Sequence, residues 1–260
     1  MRYASVRGAK HRYYRQPRQD AARAAVHESS GSIVFAVADG VSSATSAEIG
    51  AVEACRSAVE HMLQLLPQGS RGQHPLDFRD VAGVAAQRLC RLARRRLNQE
   101  EPAPAEVAAL YATTLVAGVV RPDPAGPVVS LCRIGDSGAW VLDPSRTTAP
   151  TDRYRPLFDP KTDPDALIVE NDVSPLPHVP DPLPVAHTRL SAHEALLIGT
   201  DGFGDPLGEG DGQVGALFAH HLAQPPTPLW FAHLVDFTRE TFDDDRTLLA
   251  IWPRATGAQR

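Results

Sequence analysis

The stretch Phe35-Ala36-Val37-Ala38-Asp39-Gly40-Val41 belongs to an apolar run, Ile33 to Ala38, that ends abruptly in a carboxylate and a glycine. A short continuous apolar run of this kind reads as a buried strand. Asp39 then stands at a strand tip, held by a rigid sheet, and Gly40 lets a ligand approach the backbone. A strand followed by Asp-Gly is, taken alone, most often a turn. Here the device recurs. Ala195 to Thr200 runs into Asp201-Gly202, and Val128 to Ile134 runs into Gly135-Asp136-Ser137. Asp243-Asp244-Asp245 directly precedes the apolar run Leu248 to Trp252. Acidic groups at four strand ends point to one oxygen-rich site at one edge of a sheet.

Working outward, Ala21 to Val26, the turn Glu28 to Ser32 and the run from Ile33 form a hairpin. Residues 1–23 set arginines and a lysine against a single acid, Asp20, and read as a solvated basic arm. Thr45-Ser46-Ala47-Glu48 fits a capping box, and Ile49, Val52, Cys55, Val59, Met62 and Leu66 recur as one helical stripe that Pro67 and Gly69 stop. A second helix spans about Phe78 to Leu97, with arginines opposite its apolar stripe; Arg94-Arg95-Arg96 suits a solvated helix C-terminus or a phosphate patch. Pro102 and Pro104 mark a break. Thr113 to Val120, Val128 to Ile134 and Gly138 to Leu142 are strands. Residues 143–184 are rich in proline and read as a surface excursion with one short strand at Leu167 to Val169. Helices at Val214 to Leu222 and Leu229 to Thr241 precede a closing strand, Thr247 to Trp252. Helices and strands come in runs, which favours α+β with antiparallel sheets over a doubly wound parallel fold.

Composition narrows the function. Of 260 residues 43% are hydrophobic, enough for a large core, and the formal charge of −5 gives no basic face for nucleic acid. Cys55, Cys90 and Cys132 have neither zinc spacing nor a disulfide framework and read as free thiols in apolar segments. No apolar run approaches the roughly 20 residues of a membrane span, and the N-terminus has no signal-peptide core. The expectation is a cytoplasmic, monomeric protein that takes neither nucleic acid nor membrane as partner.

In order along the chain stand Arg15 to Asp20, Phe35 to Gly40, Thr113-Thr114-Leu115-Val116, Arg133 to Ala139, Leu197 to Gly202 and Asp244-Asp245-Arg246-Thr247. With these motifs in this order the chain resembles the PP2C-type (PPM family) metal-dependent protein serine/threonine phosphatases, over about Gly8 to Trp252. The resemblance implies one domain over 1–260, built as two packed antiparallel sheets flanked by helices, an α-β-β-α sandwich. It also implies hydrolysis of phosphoserine and phosphothreonine in phosphorylated proteins, opposite a cognate kinase, by water activated between two Mn²⁺ or Mg²⁺ ions. Carried over by position, Asp39 bridges both ions, Gly40 offers its carbonyl to the second, and Asp201 and Asp244 complete the first. Asp20, beside Gln19, holds ion-bound water, Arg15 grips the phosphate, and Asp136 can hold a third ion.

The chain departs from the family's pattern at three places. Gln19 stands where the family usually has Glu, which lowers the charge offered to the second ion. Val41 stands where some members carry a proton-donating histidine, leaving His11, His27 and His178 as unranked candidates, each of which reads better as a surface histidine. The family's Asp-His-Ser stretch is not visible in 143–166, so the substrate flap within about 143–190 reads as reduced. A catalytically weak module that binds phosphoproteins or regulates a kinase is the alternative function.

Overall fold

Alternate residues of the central strands face two different cores, and that alternation builds the architecture. The computed structural model describes residues 1–66, 75–146, 149–159 and 174–253. Among these, ten strands form two antiparallel sheets of five. One has the order β1 (Arg2–Val6), β10 (Arg246–Ile251), β9 (Ala195–Gly199), β6 (Gly138–Leu142), β7 (Tyr154–Pro156). The other has the order β2 (Ala21–His27), β3 (Ser32–Ala38), β4 (Leu115–Arg121), β5 (Val128–Ile134), β8 (Val185–Arg189). On β3, Phe35 and Val37 point between the sheets, toward Leu196 and Ile198 of β9 and Leu249 and Ile251 of β10. Val34, Ala36 and Ala38 point the other way, onto α2 (Ala47–Leu65), α3 (Phe78–Leu97) and α4 (Pro104–Tyr111). The opposite faces of β9 and β10 pack on α5 (Asp201–Leu207), α6 (Gln213–His221) and α7 (Pro228–Val235). The result is the expected four-layer α-β-β-α sandwich, with the period-two pattern of strands buried on both faces.

Several local expectations change. The basic arm is not solvated throughout: Arg2–Val6 pairs with β10, and a short helix, α1 (Ala9–Tyr13), follows. An edge strand needs only one paired side and one half-covered face, so its alternation is weak in sequence. On α2 the stripe is displaced. Ile49 and Val52 are exposed, while Ala47, Gly50, Ala51, Ala54 and Ala58 lie inward with Cys55, Val59 and Met62, because only small residues let the helix approach the sheet and α4 so closely. Ser46 does precede α2, but no side chain caps it; the backbone N–H groups of Thr45 and Ser46 donate instead to Ala109 and Leu110 of α4. The prolines read as a break start α4, where Pro104 needs no hydrogen-bond partner in the first turn. Leu229 to Thr241 is helical only over Pro228–Val235, because Arg246 takes the Phe237 and Phe242 carbonyls and draws the following segment away. The proposed strand at Leu167 to Val169 lies outside the described residues. Part of the supposed excursion is sheet, β7, and Leu176 is fully buried and bridges back to Thr113.

Candidate active site

Antiparallel pairing brings the acidic residues together. Ala21 lies opposite Ala38, so Asp20 before β2 sits beside Asp39 after β3. Leu248 lies opposite Gly199, so Asp201 after β9 and Asp244 before β10 leave the sheet at the same end. The two pairs share one edge of the sandwich. The carboxyls of Asp39 and Asp201 lie within hydrogen-bonding reach, and Asp20, Asp201 and Asp244 all act on Asp39. Burial first, then these neighbouring charges, drive the Asp39 carboxyl well above its ordinary value. Asp20 is 2% exposed, and burial pushes it up to about 7 despite hydrogen bonds that favour its charged form. Its Oδ2 accepts from Thr200 Oγ1 at 2.8 Å, and its Oδ1 has no partner.

The backbone at this edge is tightly held. Asp39 N–H donates to Thr114 Oγ1 at 2.9 Å, and the Asp39 carbonyl accepts from Thr113 Oγ1 and Thr114 N. Thr114 Oγ1 in turn meets Ser137 Oγ at 2.8 Å. A Cβ on Gly40 would lie 2.7 Å from the Ala47 carbonyl, and one on Gly202 only 1.9 Å from the Asp245 carbonyl, so both positions need glycine for close approach. The threonine braces went unassigned in the sequence, although Thr113-Thr114 is part of a recognised motif.

A further residue, Asp245, belongs to the acidic run but has no role of its own legible in the sequence. It is 2% exposed and acts as a clasp. Its Oδ1 accepts from Gly8 N at 2.7 Å and its Oδ2 from Gln19 N at 2.6 Å. His11 Nδ1 lies 2.8 Å from the same Oδ2, close but not aligned for a hydrogen bond. Asp245 therefore ties the segment leading to Asp20 onto the residue next to Asp244. Nothing in a run of three aspartates says which one faces inward.

The other candidates separate. Gln19 is buried with Oε1 unpartnered. His11 is buried rather than on the surface, 3.8 Å from Asp244 Oδ1. His27 closes the far end of β2, seven residues from Asp20, where it bonds Ser30, so it is no part of this edge. His178 is exposed, two residues beyond Leu176. Val41 packs against alanines. Asp136 lies in the turn before Ser137, and its charge acts on the Arg133 guanidinium. Arg15 is exposed and left-handed (φ 56°), just after α1. Among the described residues, no hydrogen bond or ion pair holds its side chain. Arg12 and Arg18, read as solvated, are engaged: Arg12 pairs with Asp236, and Arg18 donates to the carbonyls of Asp20 and Ser5.

Carboxylates that crowd one another in partial burial, an all-oxygen donor set and the unpartnered Asp20 Oδ1 and Gln19 Oε1 fit a hard divalent cation. His11, Asp244 and Asp245 also have the spacing of a cation site, but both oxygens of Asp245 already accept backbone N–H groups.

The family profile described as protein phosphatase 2C matches residues 7–226. The chain belongs to the protein phosphatase 2C family. Its sandwich is similar to serine/threonine phosphatase Stp1 from Staphylococcus aureus, with 13% identity, 96% of this chain and 92% of that chain covered, and a TM-score of 0.60. It is also similar to the PPM Ser-Thr phosphatase MsPP from Mycobacterium smegmatis, solved with cacodylate, with 18% identity, 96% of each chain and a TM-score of 0.58. The catalytic domain of serine threonine protein phosphatase PstP, solved with two manganese ions, aligns with 18% identity over 96% of each chain and a TM-score of 0.55. No curated protein matches the sequence. Identities this low speak for the phosphatase 2C fold alone. Among the described residues, no helix of this phosphatase 2C chain is long and apolar enough to cross a membrane.

Proposed function

We propose that the protein removes phosphate from phosphoserine and phosphothreonine in proteins, opposing a Ser/Thr kinase, as one phosphatase domain with a reduced flap within about 143–190. The observation that carries this reading is the convergence of Asp20, Asp39, Asp201 and Asp244 at one partly buried edge, with Asp39 driven up by burial and then by the others. Asp39, the Gly40 carbonyl, Asp201 and Asp244 would hold two Mn²⁺ or Mg²⁺ ions, and Asp136 a third. When bound, such ions lower the pKa of water toward neutrality and polarise phosphoryl oxygens.

The remaining work falls to the chain itself. Thr113 and Thr114 hold the Asp39 backbone against the repulsion around it. Asp20, fixed through Oδ2 by Thr200, keeps Oδ1 free to accept a proton from the attacking water. Arg15, without a partner among the described residues, is the guanidinium that takes two phosphate oxygens in parallel. The water oxygen bonds to phosphorus as the ester P–O bond breaks, and the departing serine or threonine oxygen takes up a proton. Val41 cannot supply that proton.

The test is phosphate release from phosphoserine and phosphothreonine peptides across a Mn²⁺ and Mg²⁺ titration. Turnover that depends on the ion and stops with EDTA supports the reading. Tight peptide binding without release at any ion concentration identifies the catalytically silent module instead.

A further inference from the structure

On the outer helical layer, α2 and α3 enclose a solvent-facing cavity of about 190 Å³. Its walls are chiefly Arg56, His61 and Gln64 of α2 and Val84, Arg88 and Arg91 of α3. Residues 84, 88 and 91 follow the i, i+4, i+7 spacing, so they form one row along α3. Glu53 organises the two nearest guanidiniums. Its Oε2 accepts from Arg56 Nη2 at 2.7 Å and from Arg88 Nε at 2.5 Å, so a single carboxylate oxygen joins two helices.

Donors are left over. Arg56 Nε is buried without an acceptor, the Arg88 terminal nitrogens make no hydrogen bond, and Arg91 is exposed with neither hydrogen bond nor ion pair. The other groups are occupied. The Ser57 hydroxyl donates within its own helix, His61 Nε2 bonds Asp80 at 2.7 Å, and Glu60 pairs with Arg23 at 3.7 Å. Three guanidiniums thus line one small cavity, two of them held in place beforehand, and Arg91 adds a charge that no carboxylate answers.

We infer that this cavity binds a phosphate dianion, carried on a second phosphorylated residue of a protein substrate or left as free phosphate. Guanidinium forks from several directions match a tetrahedral group with at least three acceptor oxygens better than they match a planar carboxylate. A long polyanion fits less well, because Glu60 and Asp80 flank the cavity and would meet its neighbouring charges. The site is separate from the acidic edge. Arg56 lies nine residues beyond the start of α2, about 14 Å along the helix axis at 1.5 Å per residue, too far for one phosphoryl group to reach both. The inference does not depend on turnover at the acidic edge.

The test uses the Mg²⁺-loaded protein and amide ¹H–¹⁵N spectra. Titrants are inorganic phosphate, then peptides with one or two phosphonate mimics of phosphoserine, which resist hydrolysis. Saturable shifts of the amides of residues 56–64 and 84–91 are expected. Arg91→Ala, whose side chain holds nothing in the fold, should weaken them at least fivefold, and Arg56→Gln should do the same, with p-nitrophenyl phosphate turnover unchanged by Arg91→Ala. A doubly modified peptide that binds at least tenfold tighter than a singly modified one, with the gain lost in Arg91→Ala, identifies the substrate as the source. Saturation by inorganic phosphate with no gain from the second group identifies free phosphate. Shifts confined to the surroundings of Asp39 and Asp201, or unaltered by both substitutions, overturn the inference. So do shifts at α2 and α3 that RNA or anionic vesicles produce and phosphate does not. A protein without any turnover still gives a decisive spectrum.

Discussion

At the sheet edge Asp20, Asp39, Asp201 and Asp244 press on one another in partial or full burial, whereas on the α2–α3 face Arg56 and Arg88 share Glu53 in contact with water. The first gathers carboxylates alone, the second guanidiniums set around a carboxylate. In the first, the Asp39 and Asp20 carboxyl values rise, because burial and like charges both penalise the ionised form. In the second, burial pushes Glu53 up, but the hydrogen bonds and charges of Arg88 and Arg56 outweigh it, and its carboxyl settles below the ordinary value. The acidic edge therefore stores a demand for cations that the protein does not itself meet, while the basic face is nearly balanced and keeps only spare donors. The first arrangement suits chemistry and the second suits recognition.

The comparison breaks most sharply at Asp39. Asp39→Asn removes charge from the centre of the cluster, and the rate with saturating Mn²⁺ should fall by at least about 10³-fold, beyond the roughly 10²–10³ of a single preorganised donor. Full activity in this variant would show that the crowding serves no catalysis. Asp245 comes next, because it holds the segment of Gln19 and Asp20 against Asp244 without needing to touch an ion. Asp245→Ala should raise the Mg²⁺ dissociation constant, read by calorimetry, by about 10–100-fold, as loss of a supporting residue does at metal sites. Asp245→Asn retains one acceptor and should recover part of the loss.

Arg15 tests whether the exposed left-handed position is functional, since a non-glycine residue there costs roughly 1–2 kcal/mol. Arg15→Ala should lower kcat/KM for a phosphopeptide by about 10–100-fold, chiefly through KM, as expected for a lost charge-assisted hydrogen bond of about 1.5–3 kcal/mol. Arg15→Lys should restore only part. Arg12→Ala is the better control, because Arg18 braces the backbone.

Smaller effects concern stability. In the folded metal-free protein Asp20 binds its proton up to about pH 7, whereas unfolding returns it to its ordinary value of 3.8. The folded state then holds more protons, so melting temperatures in EDTA should fall as pH rises from about 4 to 7. Saturating Mg²⁺ should flatten that slope, because the cation takes the place of the proton. A melting temperature independent of pH in EDTA would mean that the edge is less crowded than its geometry shows. Smallest of all is Glu53→Gln, which leaves two guanidiniums unanswered near water. Chemical denaturation should register only about 0.5–1 kcal/mol of lost stability, the scale of solvated ion pairs.

Legibility followed the range of the interactions. Asp39 and Asp201 could be found because an apolar run stops at each, and the helix over Phe78–Leu97 because its stripe and its flanking polar residues are local. Arg2–Val6 could not, because its strand is completed by β10, 240 or more residues away. Ile49 and Val52 misled for a similar reason: the inward face of α2 was chosen by how closely the sheet approaches, which favours alanine over larger apolar side chains.

By itself the sequence determined the acidic strand ends, the antiparallel α+β order and the free thiols, because strand period, chain punctuation and cysteine spacing are encoded within a few residues. Cys55 and Cys132 are indeed buried and free, with burial pushing the Cys132 thiol up to about 12. Only the tertiary structure decided that Asp245 is a clasp while Asp244 faces the site, that His11 is buried behind it, and that Glu53 joins Arg56 to Arg88. Each of these depends on which side chains meet when segments distant in the chain close on one another, and on how much water remains between them. Neither quantity is a property of any single stretch.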